Sequence, residues 1–252
     1  MKVLVIPDIH LKPWIFDKAK QLMQQGVADK AVCLMDIADD FGKQNDFDLY
    51  SQTYDRAICF AKEYPDTLWC YGNHDLSYLW GKPETGYNPA MRPLVCAKLD
   101  SLRTALPDKN QLAIVHKIDN CLFLHGGLSV YFVKLFVCES YQKSISKTIA
   151  YINSLSDDEN LADVNGAKFW HRSSPIWWRP QTCDETCAAY TTFRYNKYLQ
   201  VVGHTPVKDV ILQNSVLSCD TFSTYRDGTP YGSQRFCVVD TVTKAFQTYP
   251  GV

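Results

Sequence analysis

The sequence carries almost no net charge and has no hydrophobic run long enough to cross a membrane. Its 252 residues contain 26 Lys and Arg against 27 Asp and Glu. Nucleic-acid binding needs a basic surface and peripheral membrane binding a polybasic cluster, and neither is present. The apolar run 130–138 is short and is interrupted by Lys134. The first run ends at Pro7, too early for a signal peptide. We therefore expect a cytoplasmic protein that binds neither membranes nor nucleic acid.

The ten cysteines lack the arrangement of a disulfide framework. Four lie inside apolar runs, where cysteine acts as a small hydrophobic residue: Cys33, Cys70, Cys121 and Cys237. Without a secretory signal we expect reduced thiols. Cys183 and Cys187 form the one close pair, but a zinc site requires two more ligands that the sequence does not supply nearby. The sequence therefore predicts neither disulfides nor a cysteine-based metal site.

The chain has no internal repeat, no low-complexity tract and no linker, so we interpret residues 1–252 as one domain. Apolar residues at helical spacing predict a helix from about Phe16 to Gly26 and another over 47–61. Each lies between two short apolar runs that are typical of buried strands. Such strand–helix–strand units imply parallel strands with crossover helices, and hence an α/β fold.

The remaining segments have different patterns. Glycine and proline in 76–92 predict a long irregular loop that overhangs the residues before it. The stretch 130–155 is predicted to be helical. Near the end, four short runs at hairpin spacing predict a second, partly antiparallel sheet packed on the first. These runs are 210–213, 216–219, 236–240 and 245–249.

Five of the apolar runs are followed at once by side chains that can bind metal. The runs are 3–7, 31–35, 68–71, 121–124 and 199–203. The side chains that follow them are Asp8, His10, Asp36, Asn73, His125 and His204. Because ligands in open sheets gather beyond the carboxyl ends of strands, we expect these side chains to meet at one edge of a sheet.

The six candidate ligands comprise three imidazoles, two carboxylates and one amide oxygen. One small cation cannot use all six and still admit a substrate, so the set suits two divalent cations that share a bridging carboxylate. Mixed nitrogen and oxygen ligands favour manganese first, with iron, zinc, cobalt or nickel as alternatives. Two cations about 3.5–4 Å apart can acidify a shared water and hold the entering and leaving oxygens of a displacement at phosphorus.

His74 is left over once the ligands are assigned. It follows Asn73 directly, so it can point into the site without binding metal, and such a histidine can protonate a leaving alkoxide. It needs a carboxylate to orient it, and Asp39 is the natural candidate. We therefore interpret His74 and Asp39 as catalytic residues.

The order of these motifs resembles that of the calcineurin-like metallophosphoesterase superfamily. The matching segments are Asp8-x-His10, Asp36-x-x-Asp39, Gly-Asn-His-Asp at 72–75, His-Gly-Gly at 125–127 and Gly-His-Thr-Pro at 203–206. The resemblance implies a four-layer αββα sandwich, with two mixed sheets flanked by helices. It also implies that Asp8, His10 and Asp36 hold one metal ion. The other would be held by Asp36, Asn73, His125 and His204, with His74 as the proton donor paired with Asp39.

Within the superfamily, the chain resembles the phosphoprotein phosphatase branch. The shared features are His-Gly-Gly-Leu-Ser at 125–129, Trp-Arg-Pro at 178–180, and Asp220 followed by Tyr-Gly at 231–232. Pro206 stands where other branches have a second histidine. The resemblance implies that Arg179 binds the substrate phosphate, because a guanidinium fork matches phosphate oxygens. We expect Asn73 to contact the phosphate as well.

Two residues depart from the pattern of the branch. Its second motif usually reads Gly-Asp-x-x-Asp-Arg-Gly, whereas here Met35 replaces the first glycine and Asp40 replaces the arginine. We expect the bulk of Met35 to narrow the site or tilt the bridging carboxylate. The loss of the arginine removes a phosphate-binding cation, and Arg92 and Arg172 are the candidates to substitute for it.

The predicted function is the hydrolysis of phosphomonoesters on proteins or small molecules, by in-line attack with His74 as general acid. A second hypothesis is the hydrolysis of nucleotide polyphosphates or phosphodiesters, motivated by the missing arginine and the overhanging segment 76–92. A third is a scaffold that binds a protein partner without catalysis, for which Met35 is the only support.

Overall fold

A computed structural model describes residues 1–156, 168–182 and 191–251. The strands are β1 (Lys2–Ile6), β2 (Lys30–Cys33), β3 (Leu68–Cys70), β4 (Leu112–Ala113), β5 (Val115–Ile118), β6 (Cys121–Leu124), β7 (Leu199–Val202), β8 (Ile211–Gln213), β9 (Val216–Ser218), β10 (Arg235–Asp240) and β11 (Phe246–Pro250). The helices are α1 (Trp14–Gln24), α2 (Phe47–Glu63), α3 (Asn73–Trp80), α4 (Arg92–Ala105), α5 (Val130–Phe136), α6 (Glu139–Gln142) and α7 (Ile145–Ser154). Short 3₁₀ helices lie at Pro89–Met91, Lys109–Gln111 and Pro180–Thr182.

The strands form two mixed sheets. The first has the order β11-β10-β1-β2-β3-β4, in which β1 to β4 are parallel and the β1–β10 and β10–β11 pairs are antiparallel. The second has the order β5-β6-β7-β9-β8, in which β6, β7 and β9 are parallel and the two edge strands pair antiparallel. Parallel strands joined through helices are what the strand–helix–strand pattern predicted.

The two sheets pack against each other because alternate residues of each strand face opposite sides. Val3 and Val5 of β1 belong to a buried cluster with Phe123 of the second sheet. Leu4 belongs instead to the larger cluster that contains Ile15 of α1. One face of each sheet is thus buried against the other sheet and the opposite face is covered by helices. The four-layer αββα sandwich predicted from the sequence is confirmed.

The parallel strands bring the candidate ligands to one edge of the sandwich. Asp8, Asp36 and Asn73 follow β1, β2 and β3 of the first sheet, and His125 and His204 follow β6 and β7 of the second. Loops from both sheets therefore approach one another beyond the carboxyl ends of their strands.

The first two helices agree with their predicted positions. Helix α1 ends at Gln24, and Gly26 beyond it has φ of 70°, a left-handed conformation that favours glycine after a helix. The side chain of Asp46 caps α2 by accepting a hydrogen bond from the Leu49 amide at 3.0 Å.

The prediction of an irregular loop over 76–92 is wrong for much of that range. Helix α3 already begins at Asn73 and ends at Trp80, where Gly81 adopts a left-handed φ of 62°. Helix α4 begins at Arg92, with Pro93 in its first turn, where proline is tolerated because the amide it lacks has no helical partner. The irregular connection is thus confined to 81–88. The reason for the error is that Pro93, which resembles a loop signal in the sequence, lies in the first turn of a helix.

The continuous helical stretch predicted over 130–155 is divided into α5, α6 and α7. Ser129 caps α5 by accepting from the Phe132 amide at 3.0 Å, and Ser144 caps α7 by accepting from the Lys147 amide at 3.4 Å. Cys138 between them has extended backbone with ψ of 137°. Ser144, which lies inside the periodic apolar pattern, therefore marks the start of a new helix.

We had expected the four strands near the end to form the second sheet together, but they do not all join it. Strands β8 and β9 do, but β10 and β11 return to the first sheet, where Val3 pairs with Val239. The alternation within a strand does not specify which sheet it joins, because both sheets offer an apolar face.

None of the eight cysteines in the described residues forms a disulfide, as predicted. Cys183 and Cys187 lie outside the described residues. Among the helices that the structure describes, none has the length and apolar content needed to span a bilayer.

Candidate metal centre and active site

Asp36 belongs to two groups of possible metal donors. The donor atoms of His10, Asp36 and His74 lie within 4.8 Å of one another, and so do those of Asp36, His125 and His204. The distance from His10 Nε2 to Asp36 Oδ2 is 3.9 Å. A carboxylate common to two donor groups is what a bridging ligand requires. The sequence predicts that His74 is a proton donor rather than a ligand; without it Asp36 still lies near His10 as well as near His125 and His204, so the donor set fits two cations better than one.

His125 lies at the centre of the second group. Its Nε2 is 3.1 Å from Asp36 Oδ2, 3.1 Å from Asn73 Oδ1 and 3.2 Å from His204 Nδ1. Donor atoms that each lie about 2.1 Å from one cation, with bonds at right angles, are separated by about 3 Å. The spacing of these four donors is therefore that of ligands around a shared cation.

Backbone carbonyls fix the orientation of two of the imidazoles. His125 Nδ1 lies 3.1 Å from the carbonyl oxygen of Leu34, and His10 Nδ1 lies 2.9 Å from that of Asp39. An imidazole that donates one N–H to a carbonyl presents the other nitrogen, unprotonated, to a metal ion. In both rings the nitrogen that remains is Nε2, which faces Asp36.

Two buried polar atoms of the candidate ligands have no hydrogen-bond partner among the described residues. They are Asp8 Oδ1 and His204 Nε2. The other carboxylate oxygen of Asp8 accepts the His204 amide at 2.7 Å. Asp8 belongs to neither compact donor group, but a buried carboxylate oxygen without a donor is costly. A cation beside Asp8 would remove that cost, so these residues fit a metal centre.

Two glycines let the carboxylates come this close to the backbone. An added Cβ at Gly72 would overlap with Asp36 Oδ1, and one at Gly203 would overlap with Asp8 Oδ1. Each glycine directly precedes a candidate ligand, Asn73 or His204. The glycines in the Gly-Asn-His and Gly-His-Thr motifs are thus required by close packing against a carboxylate on a neighbouring loop.

We had expected Met35 to narrow the site, but it does not. Its side chain is fully buried in the hydrophobic core and is not part of the cavity lining. Its φ is 55°, and that of Asp36 is 44°, so both adopt the left-handed region that costs a residue with a Cβ about 1–2 kcal/mol. A glycine at this position would relieve backbone strain rather than make room for substrate.

Asp75 connects two of the ligand loops, a role that the sequence analysis did not assign. Its Oδ2 accepts the amides of Asp36 and Gly72, both at 2.9 Å, and its Oδ1 accepts that of Ile37 at 3.2 Å. Burial and the charge of Asp36 raise the pKa of Asp75 to about 7. The loop after β2 is therefore held against the loop after β3 by one side chain. In the sequence, the position of Asp75 at the end of the Gly-Asn-His-Asp motif was the feature that could have indicated this role.

His74 and Asp39 are in contact, as the sequence suggested. His74 Nδ1 lies 2.8 Å from Asp39 Oδ2. Burial lowers the pKa of His74, but the charge of Asp36 and the hydrogen bond and charge of Asp39 raise it to about 9. Cations bound to Asp36 would reduce that shift by offsetting its charge. His74 is therefore oriented by Asp39 and can carry a proton near neutral pH.

A cavity of about 300 Å³ opens over these residues. Its lining includes His10, Asp36, Asn73, His74 and His204 together with Arg179 and Trp177. Arg179 Nη1 donates to the carbonyl oxygen of His204 at 2.9 Å and to Thr205 Oγ1 at 3.0 Å. These bonds hold the guanidinium group beside the candidate ligands.

Neither arginine suggested as a substitute for the missing cation lies in this cavity. Arg172 is exposed and is not part of the lining. Arg92 donates to the carbonyl oxygens of Tyr78 at 2.8 Å and of Leu79 at 3.1 Å, so it caps the end of α3. Because that end of α3 lies outside the cavity lining, Arg92 is not placed to contact substrate there.

Lys12 supplies a cation that the sequence analysis missed. It lines the cavity, is 8% exposed, and its Nζ lies 3.0 Å from Asp40 Oδ2 and 3.1 Å from the carbonyl oxygen of His10. Asp40 occupies the position of the branch's arginine, so here the charge at that position is reversed and a lysine pairs with it. In the sequence, the position of Lys12 two residues after the candidate ligand His10 was the feature that could have indicated a cation near the site.

Comparison with known proteins gives one family match. A family model described as calcineurin-like phosphoesterase matches residues 1–208. No curated protein matches the sequence.

Solved structures show a similar fold at low sequence identity. A cold-active protein-tyrosine phosphatase from a psychrophilic Shewanella species is 17% identical with a TM-score of 0.56, over 98% of this chain and 80% of that one. A second structure of a cold-active protein tyrosine phosphatase is 18% identical with a TM-score of 0.52, over 98% and 78%. A metallophosphoesterase from Sphaerobacter thermophilus is 12% identical with a TM-score of 0.48, over 99% and 87%. The first two support the fold.

Proposed function

We propose that this chain, which belongs to the calcineurin-like phosphoesterase family and is a metal-dependent phosphoester hydrolase, acts on phosphomonoesters. The observation that carries the proposal is the contact of His74 with Asp39, at 2.8 Å, on the wall of the cavity that contains the candidate ligands. A phosphomonoester releases an alkoxide or phenolate, which leaves more easily when a positioned acid protonates it.

The candidate ligands would hold two divalent cations, with manganese the first choice. They are Asp8, His10, Asp36, Asn73, His125 and His204. Such cations supply Lewis-acid chemistry at phosphorus when bound. The chain's own part is to hold these donors in place from both sheets and to keep Nε2 of His10 and of His125 directed towards Asp36.

The substrate would be positioned by Arg179 and Asn73 at its phosphate and by His74 at its leaving group. Arg179 is fixed by two hydrogen bonds to the His204–Thr205 loop, so little side-chain entropy is lost on binding. With Nδ1 occupied by Asp39, Nε2 is the nitrogen of His74 that can donate to the leaving oxygen. In-line attack at phosphorus would then be completed by proton transfer from His74.

A second candidate function is the hydrolysis of nucleotide polyphosphates or phosphodiesters. The observation in its favour is Lys12, which lines the same cavity as Arg179 and offers a second cation to a second phosphate group. Lys12 is also bound to Asp40, which offsets its charge, so we rank this candidate below the first. The third hypothesis, a non-catalytic scaffold, gains nothing from Met35, since that residue lies in the core.

A substrate comparison with the manganese-loaded protein tests the proposal. We would measure kcat/KM for phenyl phosphate, for the diester bis(4-nitrophenyl) phosphate and for a dinucleoside polyphosphate. The monoester is expected to be hydrolysed best. The His74→Gln variant is expected to lose about 10²–10⁴-fold on phenyl phosphate, the range for general acid catalysis.

The alternatives give different results in the same experiment. Preference for the polyphosphate or the diester would favour the second candidate. Absence of turnover on every substrate, in protein shown by elemental analysis to hold two manganese ions, would reject hydrolysis and favour the scaffold. The chelated protein is the control for adventitious phosphatase.

A further inference from the structure

Asp39 is surrounded by three hydrogen-bond donors rather than one. Its Oδ2 is bonded to His74 Nδ1 at 2.8 Å. Its Oδ1 accepts from the hydroxyl of Tyr78 at 2.6 Å and from the hydroxyl of Tyr50. Asp39 is 2% exposed, and both tyrosines are fully buried. The carboxylate is therefore fixed at both oxygens, by groups that solvent does not replace.

The two tyrosines come from different helices. Tyr78 lies in α3 four residues after His74, so that the two side chains project from the same face of the helix that also carries Asn73. Tyr50 lies in α2, and its hydroxyl oxygen is 3.3 Å from that of Tyr78. Two helices thus deliver phenol groups to the one carboxylate that orients His74.

The direction of these hydrogen bonds follows from the surroundings of each phenol. The Tyr78 hydroxyl oxygen accepts the Asn88 amide at 3.0 Å, so its own proton is directed to Asp39. Burial and the charge of Asp39 raise the pKa of both tyrosines well above the ordinary value, which keeps them protonated. Both phenols therefore act as donors to Asp39 across the pH range in which an enzyme is assayed.

We propose that Tyr50 and Tyr78 are positioning residues for proton transfer, because they hold Asp39 in the one rotamer that keeps His74 Nδ1 bonded and His74 Nε2 directed at the leaving group. A carboxylate bonded only through Oδ2 can rotate about its terminal bond, and His74 would rotate with it. Two donors on Oδ1 prevent that rotation. This inference rests on the proposed function, since it assigns the tyrosines to the same proton-transfer step.

Tyr54 provides a matched control within the same helix. It is fully buried on α2, one turn after Tyr50, and its hydroxyl has no hydrogen-bond partner among the described residues. Tyr54→Phe therefore removes the same atom as Tyr50→Phe from a similar environment but breaks no bond to Asp39. Any general effect of losing a buried hydroxyl from α2 appears in both variants, and an effect on His74 appears in only one.

The test compares two substrates that differ in their need for a proton. Phenyl phosphate releases a poor leaving group, whereas 4-nitrophenyl phosphate releases a good one that depends less on general acid catalysis. In manganese-loaded protein, Tyr50→Phe and Tyr78→Phe are each expected to lower kcat for phenyl phosphate about tenfold, a fraction of the full general-acid effect. They should lower kcat for 4-nitrophenyl phosphate less than about twofold, with KM and inhibition by inorganic phosphate unchanged. Tyr54→Phe should change neither substrate.

A double-variant series adds a readout that a purely structural role would not produce. In the His74→Gln background, Tyr50→Phe should have no further effect on phenyl phosphate, because the residue through which it acts is gone. Thermal unfolding of every variant is measured in parallel. If Tyr50→Phe does not fold, Tyr78→Phe carries the same test, since it donates to the same oxygen.

The remaining outcomes separate the two levels of the argument. Equal losses on both substrates, or additive losses in the His74→Gln background, would overturn the positioning role. The positioning role would also be overturned if Tyr50→Phe and Tyr78→Phe behaved like Tyr54→Phe. In each of these cases an active wild-type protein would leave the proposed function intact. An inactive wild type would instead reject the proposed function itself.

Discussion

The two sides of the site satisfy their polar groups in different ways. Around the proton donor, Asp39 is bonded by His74, Tyr50 and Tyr78, so the protein supplies the partners. On the ligand side, Asp8 Oδ1 and His204 Nε2 have no partner among the described residues. The chain thus completes the side of the proposed proton donor with its own hydrogen bonds, and the proposed cations would complete the ligand side.

The two sides should therefore respond separately to the removal of metal and to substitutions. Removing metal should raise the free energy of the ligand side, where carboxylates and imidazoles then face one another without a cation. It should leave the His74–Asp39–Tyr78 contacts in place, because none of them requires metal. Four predictions test this contrast, beginning with the largest expected effect.

Asp36→Asn is expected to abolish activity, with a loss of at least about 10³-fold, because Asp36 is the donor common to both groups. The measurement is turnover of phenyl phosphate together with metal content by elemental analysis. Both cations should be lost or held more weakly. The contrast would fail if the variant kept two manganese ions per chain at wild-type affinity.

Gly203→Ala is expected to weaken metal binding about 10–100-fold, as is usual when a group that orients a ligand is displaced. Its added methyl group would overlap with Asp8 Oδ1, so Asp8 must move. Titration of the chelated protein with Mn²⁺ measures the affinity. Gly228→Ala is the control for a destabilised backbone without displacement of Asp8, because its φ of 83° is left-handed but an added Cβ there meets no atom within 4 Å. Equal affinity in both variants would contradict a role for Asp8 as a ligand.

The metal-free protein is expected to lose stability as pH rises from about 6.5 to about 9. Burial lowers the pKa of His74 and of His125, but the charge of Asp36 and their other acidic neighbours raise both to about 9, above the ordinary 6.5. The folded state therefore binds these protons more tightly than the unfolded state. Their stabilisation is complete below pH 6.5 and disappears as pH passes 9, a decrease on the order of 3 kcal/mol for each imidazole.

Urea unfolding of the chelated protein at pH 6.5 and pH 9 measures this decrease. With manganese bound, the cation takes the place of the proton on His125 and offsets the charge of Asp36 that raises the pKa of His74, so the decrease should be smaller or absent. Equal stability of the chelated protein at both pH values would show that protons on His74 and His125 do not stabilise the folded state.

Arg179→Met is expected to raise KM for phenyl phosphate about tenfold, the effect of one charge-assisted hydrogen bond to phosphate. Arg179 bonds to the backbone carbonyl of His204 and leaves the imidazole donor atoms of that residue free to bind metal, so kcat with a good leaving group and the manganese affinity should change little. Arg172→Met is the control, since Arg172 is exposed outside the cavity lining. If Arg172→Met also raises KM, the phosphate lies elsewhere than we propose.

The sequence predicted the parts of the site that follow directly from short, local motifs. Asp36 and His125 each follow an apolar run, and parallel strands must bring such residues to the same edge. The α/β class could be predicted for the same reason, whereas the four-layer arrangement was implied by the resemblance of the motifs to the superfamily. Helix ends were less predictable: Pro93 resembles a loop signal and Ser144 lies inside a periodic helical pattern, yet each marks the start of a helix.

The contacts that complete the site could not be predicted, because they join residues far apart in sequence. Tyr50 has the spacing of an ordinary core residue of α2, and only the fold shows that its hydroxyl reaches Asp39. Lys12 meets Asp40 only because the loops after β1 and β2 are adjacent. The helical pattern predicted the burial of Tyr50 but not the bond that its hydroxyl makes, and it gave no position for Lys12.

The pairing of β1 with β10 determines when the first sheet can be completed during synthesis. Lys2 to Val5 pair with Cys237 to Asp240, so one edge of β1 has no strand partner until residues 237–240 have left the ribosome. An exposed strand edge is a site for pairing with other chains. Nascent chains that stall before residue 235 should therefore be prone to aggregation and should depend on chaperones.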